Sequence, residues 1–148
     1  MQTASFIGPA ELVGSTQDSA NSKLVTLVAF TATERMEGRG HVQGGVVAAF
    51  LETASRVALV SAHGGALALC DTRSLVSNTF FLRQTQRSAL IVRVELPLPL
   101  PSPHNPPAAV VFAEAALFRR DAFDTSPAAA EPLATGSFAI SCSGPSDE

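Results

Sequence analysis

The spacing of apolar and polar residues changes period several times along this chain. From Lys23 to Thr33 the run Lys-Leu-Val-Thr-Leu-Val-Ala-Phe-Thr-Ala-Thr is rich in β-branched residues and partly alternates, which predicts a strand. From Gly44 to Ala62 apolar residues fall on nearly every side of a 3.6-residue wheel. That pattern predicts one long helix buried over most of its circumference, and Gly64-Gly65 offers a stop. Four further strands are predicted at 71–82, 89–96, 108–118 and 132–141. Between these elements, 34–43 reads as a polar loop, 83–88 as a hairpin and 121–131 as another loop. Residues 97–107 hold six of the ten prolines, so they read as a long exposed loop. Residues 1–21 are small and polar and are expected to pack loosely, with a flexible tail at 142–148. Consecutive strands without crossover helices argue for an antiparallel sheet. The expectation is one α+β domain over 1–148, in which about five strands curl around a single helix.

Within the helix, Gly45, Ala48, Ala49, Glu52, Ser55 and Arg56 share one sector at about 100° per residue. Val46, Val47, Phe50, Leu51, Val57 and Leu59 mostly lie elsewhere and are expected to fill the core. The small-or-polar sector leaves room for a second helix, a ligand channel, or both. Glycines at a helix start leave backbone N–H groups bare, and the helix dipole adds positive potential there. A carboxylate inside so apolar a helix is costly unless satisfied or used. Gly44-Gly45 and Glu52 therefore form a candidate oxyanion site and a candidate base or nucleophile. The plain alternatives are a tight turn for the glycines and an i,i+4 ion pair with Arg56 for Glu52. Gly44 and Glu52 stand eight residues apart, roughly 12 Å along the axis. One reacting carbonyl needs both groups within roughly 3 Å. If both act on one bond, they must come from two antiparallel copies of the helix, which predicts a homodimer with shared sites.

Net charge is −3 and only 16% of residues are charged, with no basic block, so a nucleic-acid partner is not expected. Apolar content is 46% and mean hydropathy is positive, which suggests that some apolar surface meets another subunit. No stretch reads as a membrane span of roughly 20 apolar residues. Met1 to Ser15 lacks the basic and apolar regions of a signal peptide. Cys70 and Cys142 are too few for a disulfide framework, and a cytoplasmic setting with reduced thiols is expected. His41, His63 and His104 are scattered, so no metal site is expected. His41 reads as a capping or surface residue and His63 as a partner of the helix C-terminal carbonyls. Ser74, Ser77 and Ser88 lack a nucleophile motif.

The segment resembles the hotdog-fold acyl-CoA thioesterases, above all those of the phenylacetate-pathway type. Their hallmark is His-Gly-Gly, an apolar run, then Asp or Glu nine residues after the His. Here Gln43-Gly44-Gly45 is followed by Glu52, and Val42 to Gly45 is the Val-Gln-Gly-Gly of many relatives. Thr79-Phe80-Phe81-Leu82-Arg83 resembles the family's Asn-Phe-Leu-Arg strand, and Gly136 to Ile140 its closing strand. The order of elements agrees over about 22–141. The resemblance implies a hotdog fold and hydrolysis of an acyl-CoA or acyl-carrier-protein thioester, with no cofactor. It implies a Gly44 amide that polarises the carbonyl, and Glu52 of the partner chain as nucleophile or base, beside Gln43 and Gly45. Glu37 stands where relatives place Asn or Gln near the thioester, and Arg56 where a small residue is common. Arg56 is then either the ion-pair partner of Glu52 or a ligand for a substrate carboxylate. Ala48 on the small stripe and Arg83 and Arg87 near the coenzyme phosphates complete the expected substrate contacts. A dimer or a dimer of dimers is implied. The alternatives are a non-catalytic acyl-binding hotdog protein and a dehydratase or hydratase on the same scaffold.

Overall fold

A computed structural model describes residues 8–64, 67–101 and 109–142. Residues 143–148 of the tail expected at 142–148, residues 102–108 within and just beyond the proline-rich loop, His104 among them, and Gly65 lie outside the described residues. In chain order the elements are β1 (Glu11–Asp18), β2 (Lys23–Thr31), β3 (Glu37–Gly38), β4 (His41–Val42), α1 (Gly44–Ala62), β5 (Thr72–Phe81), β6 (Ala89–Pro97), β7 (Ala109–Arg119), α2 (Arg120–Thr125) and β8 (Ala134–Cys142). Six strands make one antiparallel sheet in the order β1-β2-β6-β7-β8-β5, and β3 pairs only with β4. The sheet wraps α1, which touches β2, β5, β6, β7 and β8. This is the hotdog architecture that the resemblance implies.

Alternation decides which face is core. Val28 and Phe30 of β2, Leu90, Val92, Val94 and Leu96 of β6, Leu117 of β7 and Ile140 of β8 point inward and are buried. They meet Val46, Val47, Phe50, Leu51, Ala54, Ala58 and Leu59 of α1. The rings of Phe30 and Phe50 pack with centroids 4.8 Å apart. Gly64, at φ +62°, takes the left-handed conformation that ends the helix, and the His63 amide donates to the carbonyls of Leu59 and Val60. On the outer face, Lys23 Nζ donates to Glu95 Oε1 at 2.9 Å, and that bond raises the Lys23 pKa above its ordinary value.

Five expectations are corrected. Residues 11–18 are not loose chain but the edge strand β1, so the sheet has six strands; the hydroxyls of Ser15 and the buried Thr26 tie it to β2 at 2.9 Å. Residues 83–88 are not a hairpin, because β5 and β6 are not neighbours. The segment crosses the end of the sheet, bound through Val42 N–H to Thr85 O at 2.7 Å and Arg83 N–H to Leu133 O at 3.0 Å. Part of the 121–131 loop is α2, whose buried Phe123 covers Ile91 and Phe118 on the outer face. By length and composition α1 is apolar enough to span a bilayer, contrary to the sequence reading; here it is the core helix that the sheet encloses. Cys142 belongs to β8 rather than to the tail and is fully buried.

Candidate functional site

At the start of α1, Gln43 holds an extended conformation (φ −62°, ψ 142°) and no side chain caps the helix. Its carbonyl takes the amides of Val46 and Val47 at 3.0 and 3.1 Å. Among the described residues, no hydrogen bond engages the Gly44 or Gly45 amides, the first two donors of the helix. The loop that delivers them is anchored where Gln43 N–H donates to the carbonyl of buried Met36 at 3.0 Å. Gly44 faces Phe81 at the end of β5: a Cβ there would lie 3.4 Å from the ring, in ordinary packing contact. A cavity of about 330 Å³ opens here, lined by His41, Gly44, Phe81, Arg83 and Thr85 among others. His41 thus borders a cavity and does not cap the helix.

The polar stripe of α1 opens into a second cavity of about 280 Å³. Gly45, Ala48, Ala49, Glu52, Thr53 and Arg56 form its helix side, and Leu69, Ser77, Thr79 and Phe138 form the wall opposite. Ser55 does not join the stripe; it is buried and donates to Leu51 O at 2.9 Å, which satisfies its hydroxyl within the helix. The Glu52 side chain is 39% exposed, and its nearest cation is Arg56 Nη1 at 3.9 Å. That separation makes an ion pair but not a hydrogen bond. The rest of the guanidinium is occupied: Nε donates to Thr72 Oγ1 at 2.8 Å, and Nη2 to the carbonyls of Leu69 and Thr72 at 3.1 and 3.2 Å.

The expected residues separate into groups. Glu52, Gly45, Ala48 and Arg56 line one cavity, and Gly44 and Arg83 the other. Gly44 and Glu52 of one chain share no cavity. Gln43 is exposed and packs its side chain over Gly38. Glu37 sits on the two-residue strand β3 and lines neither cavity. Arg83 pairs with Glu131, and Arg87 with Glu34 at 3.6 Å, both at the surface. Among the described residues no group of His, Cys, Asp and Glu is placed to hold a metal ion. The sequence reading did not single out Leu69 and Thr72, and it named Ser77, Thr79 and Phe138 without assigning them to the site. Strand periodicity puts Ser77 and Thr79 on one face, but only the strand order brings that face to the helix stripe.

Chemically, the arrangement offers a carboxylate whose lone pairs no donor fills among the described residues, beside hydroxyls and apolar walls, and a helix start whose first two amides are unused among them. No family model matches the sequence, and no curated protein matches it either. Solved structures do. The thioesterase HI1161 of Haemophilus influenzae superposes with a TM-score of 0.67 at 14% identity, over 95% of this chain and 82% of that one. A phenylacetic acid degradation-related protein of Ralstonia eutropha JMP134 gives 0.65 at 18% identity, over 95% and 89%. A variant of the thioesterase SAV0944 of Staphylococcus aureus subsp. aureus Mu50 gives 0.65 at 9% identity, over 98% and 100%. At these identities the likeness establishes the shared fold.

Proposed function

We propose that the protein hydrolyses an acyl-CoA or acyl-carrier-protein thioester, as a homodimer or a dimer of dimers. One observation carries this reading: Glu52 opens, without a hydrogen-bonded partner, into a cavity between α1 and β5, on a helix whose first two amides are unused. The structural neighbours named as thioesterases support it. In the proposed site the Gly44 amide of one chain donates to the thioester carbonyl, with Gly45 and Gln43 shaping the approach. Glu52 of the other chain supplies the second function. As nucleophile, its oxygen attacks the carbonyl carbon, the C–S bond breaks, thiolate leaves, and water hydrolyses the mixed anhydride. As base, it takes a proton from water, whose oxygen attacks the same carbon. Both routes yield a carboxylic acid and a thiol, and neither uses a cofactor.

Ala48 leaves room for the acyl group. Arg83 and Arg87 are the proposed contacts for coenzyme phosphates, each exchanging a surface carboxylate for a phosphate. Glu37 is assigned the approach to the thioester, from β3 beside the helix start. A cytoplasmic setting fits two free cysteines. The Glu52–Arg56 pair favours one rival, a non-catalytic acyl-binding protein in which Glu52 is merely neutralised.

Thiol release from a panel of acyl-CoAs tests the proposal. Wild type is expected to turn over at least one of them. Glu52→Gln is expected to lose roughly 10²–10⁴-fold in kcat with an unchanged circular dichroism spectrum. Full activity in Glu52→Gln would remove Glu52 from the reaction.

A further inference from the structure

We propose that Arg56 is a positioning residue: pinned to Thr72 and Leu69, its guanidinium directs the Glu52 carboxylate and is withheld from substrate. The inference rests on the thioesterase reading above and assigns Arg56 one of its two expected roles.

The geometry is a closed node. Thr72 is buried, and its hydroxyl donates to Leu69 O at 2.7 Å. The remaining lone pairs of that hydroxyl face Arg56 Nε, which donates at 2.8 Å. Nη2 adds bonds to Leu69 O and Thr72 O. A guanidinium is rigid and planar, so fixing Nε and Nη2 fixes Nη1 as well. Nη1 then faces Glu52 Oε1 from 3.9 Å. At that range the charge attracts the carboxylate without occupying its lone pairs, which stay available for water or a carbonyl carbon. The order of the pair, acid before base by four residues, is the favourable one on a helix. The same node fixes Leu69, which forms part of the cavity wall opposite Glu52.

A substrate carboxylate would find a poor partner here. Only Nη1 remains to meet it, so the two-pronged contact that makes arginine a carboxylate ligand is unavailable. Glu52 would also stand beside it with like charge. Acyl groups with a terminal carboxylate are therefore expected to gain nothing from Arg56.

The experiment compares kcat and KM for hexanoyl-CoA and glutaryl-CoA in wild type, Thr72→Val, Thr72→Ser and Arg56→Lys, with Glu52→Gln in parallel. Thermal melting confirms that each variant is folded. Thr72→Val and Arg56→Lys are expected to lower kcat about tenfold on any substrate that wild type turns over, the scale of loss for a slightly misplaced reacting group, with KM changed less than about twofold. Lysine keeps the charge but not the fork, so it does not rescue. Thr72→Ser keeps the hydroxyl and is expected to restore kcat. Unchanged kcat in Thr72→Val and Arg56→Lys would overturn the proposal. So would a rise in KM confined to glutaryl-CoA, which would make Arg56 a substrate ligand, or a Thr72→Ser variant as slow as Thr72→Val. If Glu52→Gln keeps full turnover, Glu52 leaves the reaction and the positioning role falls with it; if wild type turns over no member of the acyl-CoA panel, the thioesterase reading itself falls; if Glu52→Gln is inactive while the Thr72 and Arg56 variants keep kcat, only the positioning role falls.

Discussion

Gly136 lies opposite Thr79 in the β5–β8 ladder, under the ring of Phe138. A Cβ at Gly136 would stand 2.7 Å from Phe138 Cε2, closer than packed atoms come, so the ring must move if one is added. Phe138 lines the Glu52 cavity. Gly136→Ala is therefore expected to push the ring into the space where an acyl chain would lie. In an acyl-CoA length series, kcat/KM for chains of eight carbons or more is expected to drop about tenfold while acetyl-CoA is unaffected, the scale set by excluding a methylene or two. An unchanged length profile would show that Phe138 does not border the acyl path. Residue-scale reading of the sequence singled out the candidate groups, because Glu52 and the glycine pair are the unusual members of an apolar helix. It did not find their surroundings. Nothing in the local pattern distinguishes Thr72, buried at a node, from Thr79 seven residues on.

Helix α1 was legible end to end: Gly44 and Ala62 bound it as the sequence predicts, since apolar periodicity, a glycine start and a glycine stop agree. The four later strands were also legible: β8 alternates cleanly, β6 is apolar and largely buried, part of β7 alternates, and β5, mostly exposed, was marked by its β-branched and aromatic residues rather than by burial. Three features were not. β1 (Glu-Leu-Val-Gly-Ser-Thr-Gln-Asp) is an exposed edge strand, so burial imposes little alternation on it. α2 is six residues long and held by one buried ring, Phe123, too short a segment to show helical periodicity. The crossover after β5 has the length and polarity of a hairpin, and only pairing partners far along the chain separate the two. Energetically, α1 is the element around which the rest assembles. Phe50 is fully buried at its centre and packs on Phe30 of β2. Phe50→Ala is expected to cost roughly 3–5 kcal/mol, since it removes a ring and leaves a cavity in the core that α1 shares with the sheet. Urea unfolding measures it; a loss below about 1 kcal/mol would mean that the core collapses into the space.

At the scale of the whole molecule, the single chain leaves much apolar surface open. Leu75, Val76, Phe80, Phe81 and Leu82 are exposed on or beside β5, an edge strand with one unpaired side, and Phe112 is exposed on the outer face of the sheet. Long apolar edges of this kind invite pairing with another copy. The same chain keeps the Gly44 amide and the Glu52 carboxylate in different cavities. Both facts support a site completed by a second subunit, and subunit complementation tests that claim most directly. Gly44→Pro deletes the amide while respecting the helix: proline suits the first helical position, and Gln43 already holds the extended conformation that a following proline requires. Gly44→Pro and Glu52→Gln are each expected to be inactive alone. Unfolded together and refolded as a mixture, half the dimers would be hybrids with one intact site of two, so about a quarter of wild-type thioesterase activity is expected to return under two-fold symmetry. A mixture no more active than its parents, with hybrid dimers present by native mass spectrometry, would contradict a site built from both chains.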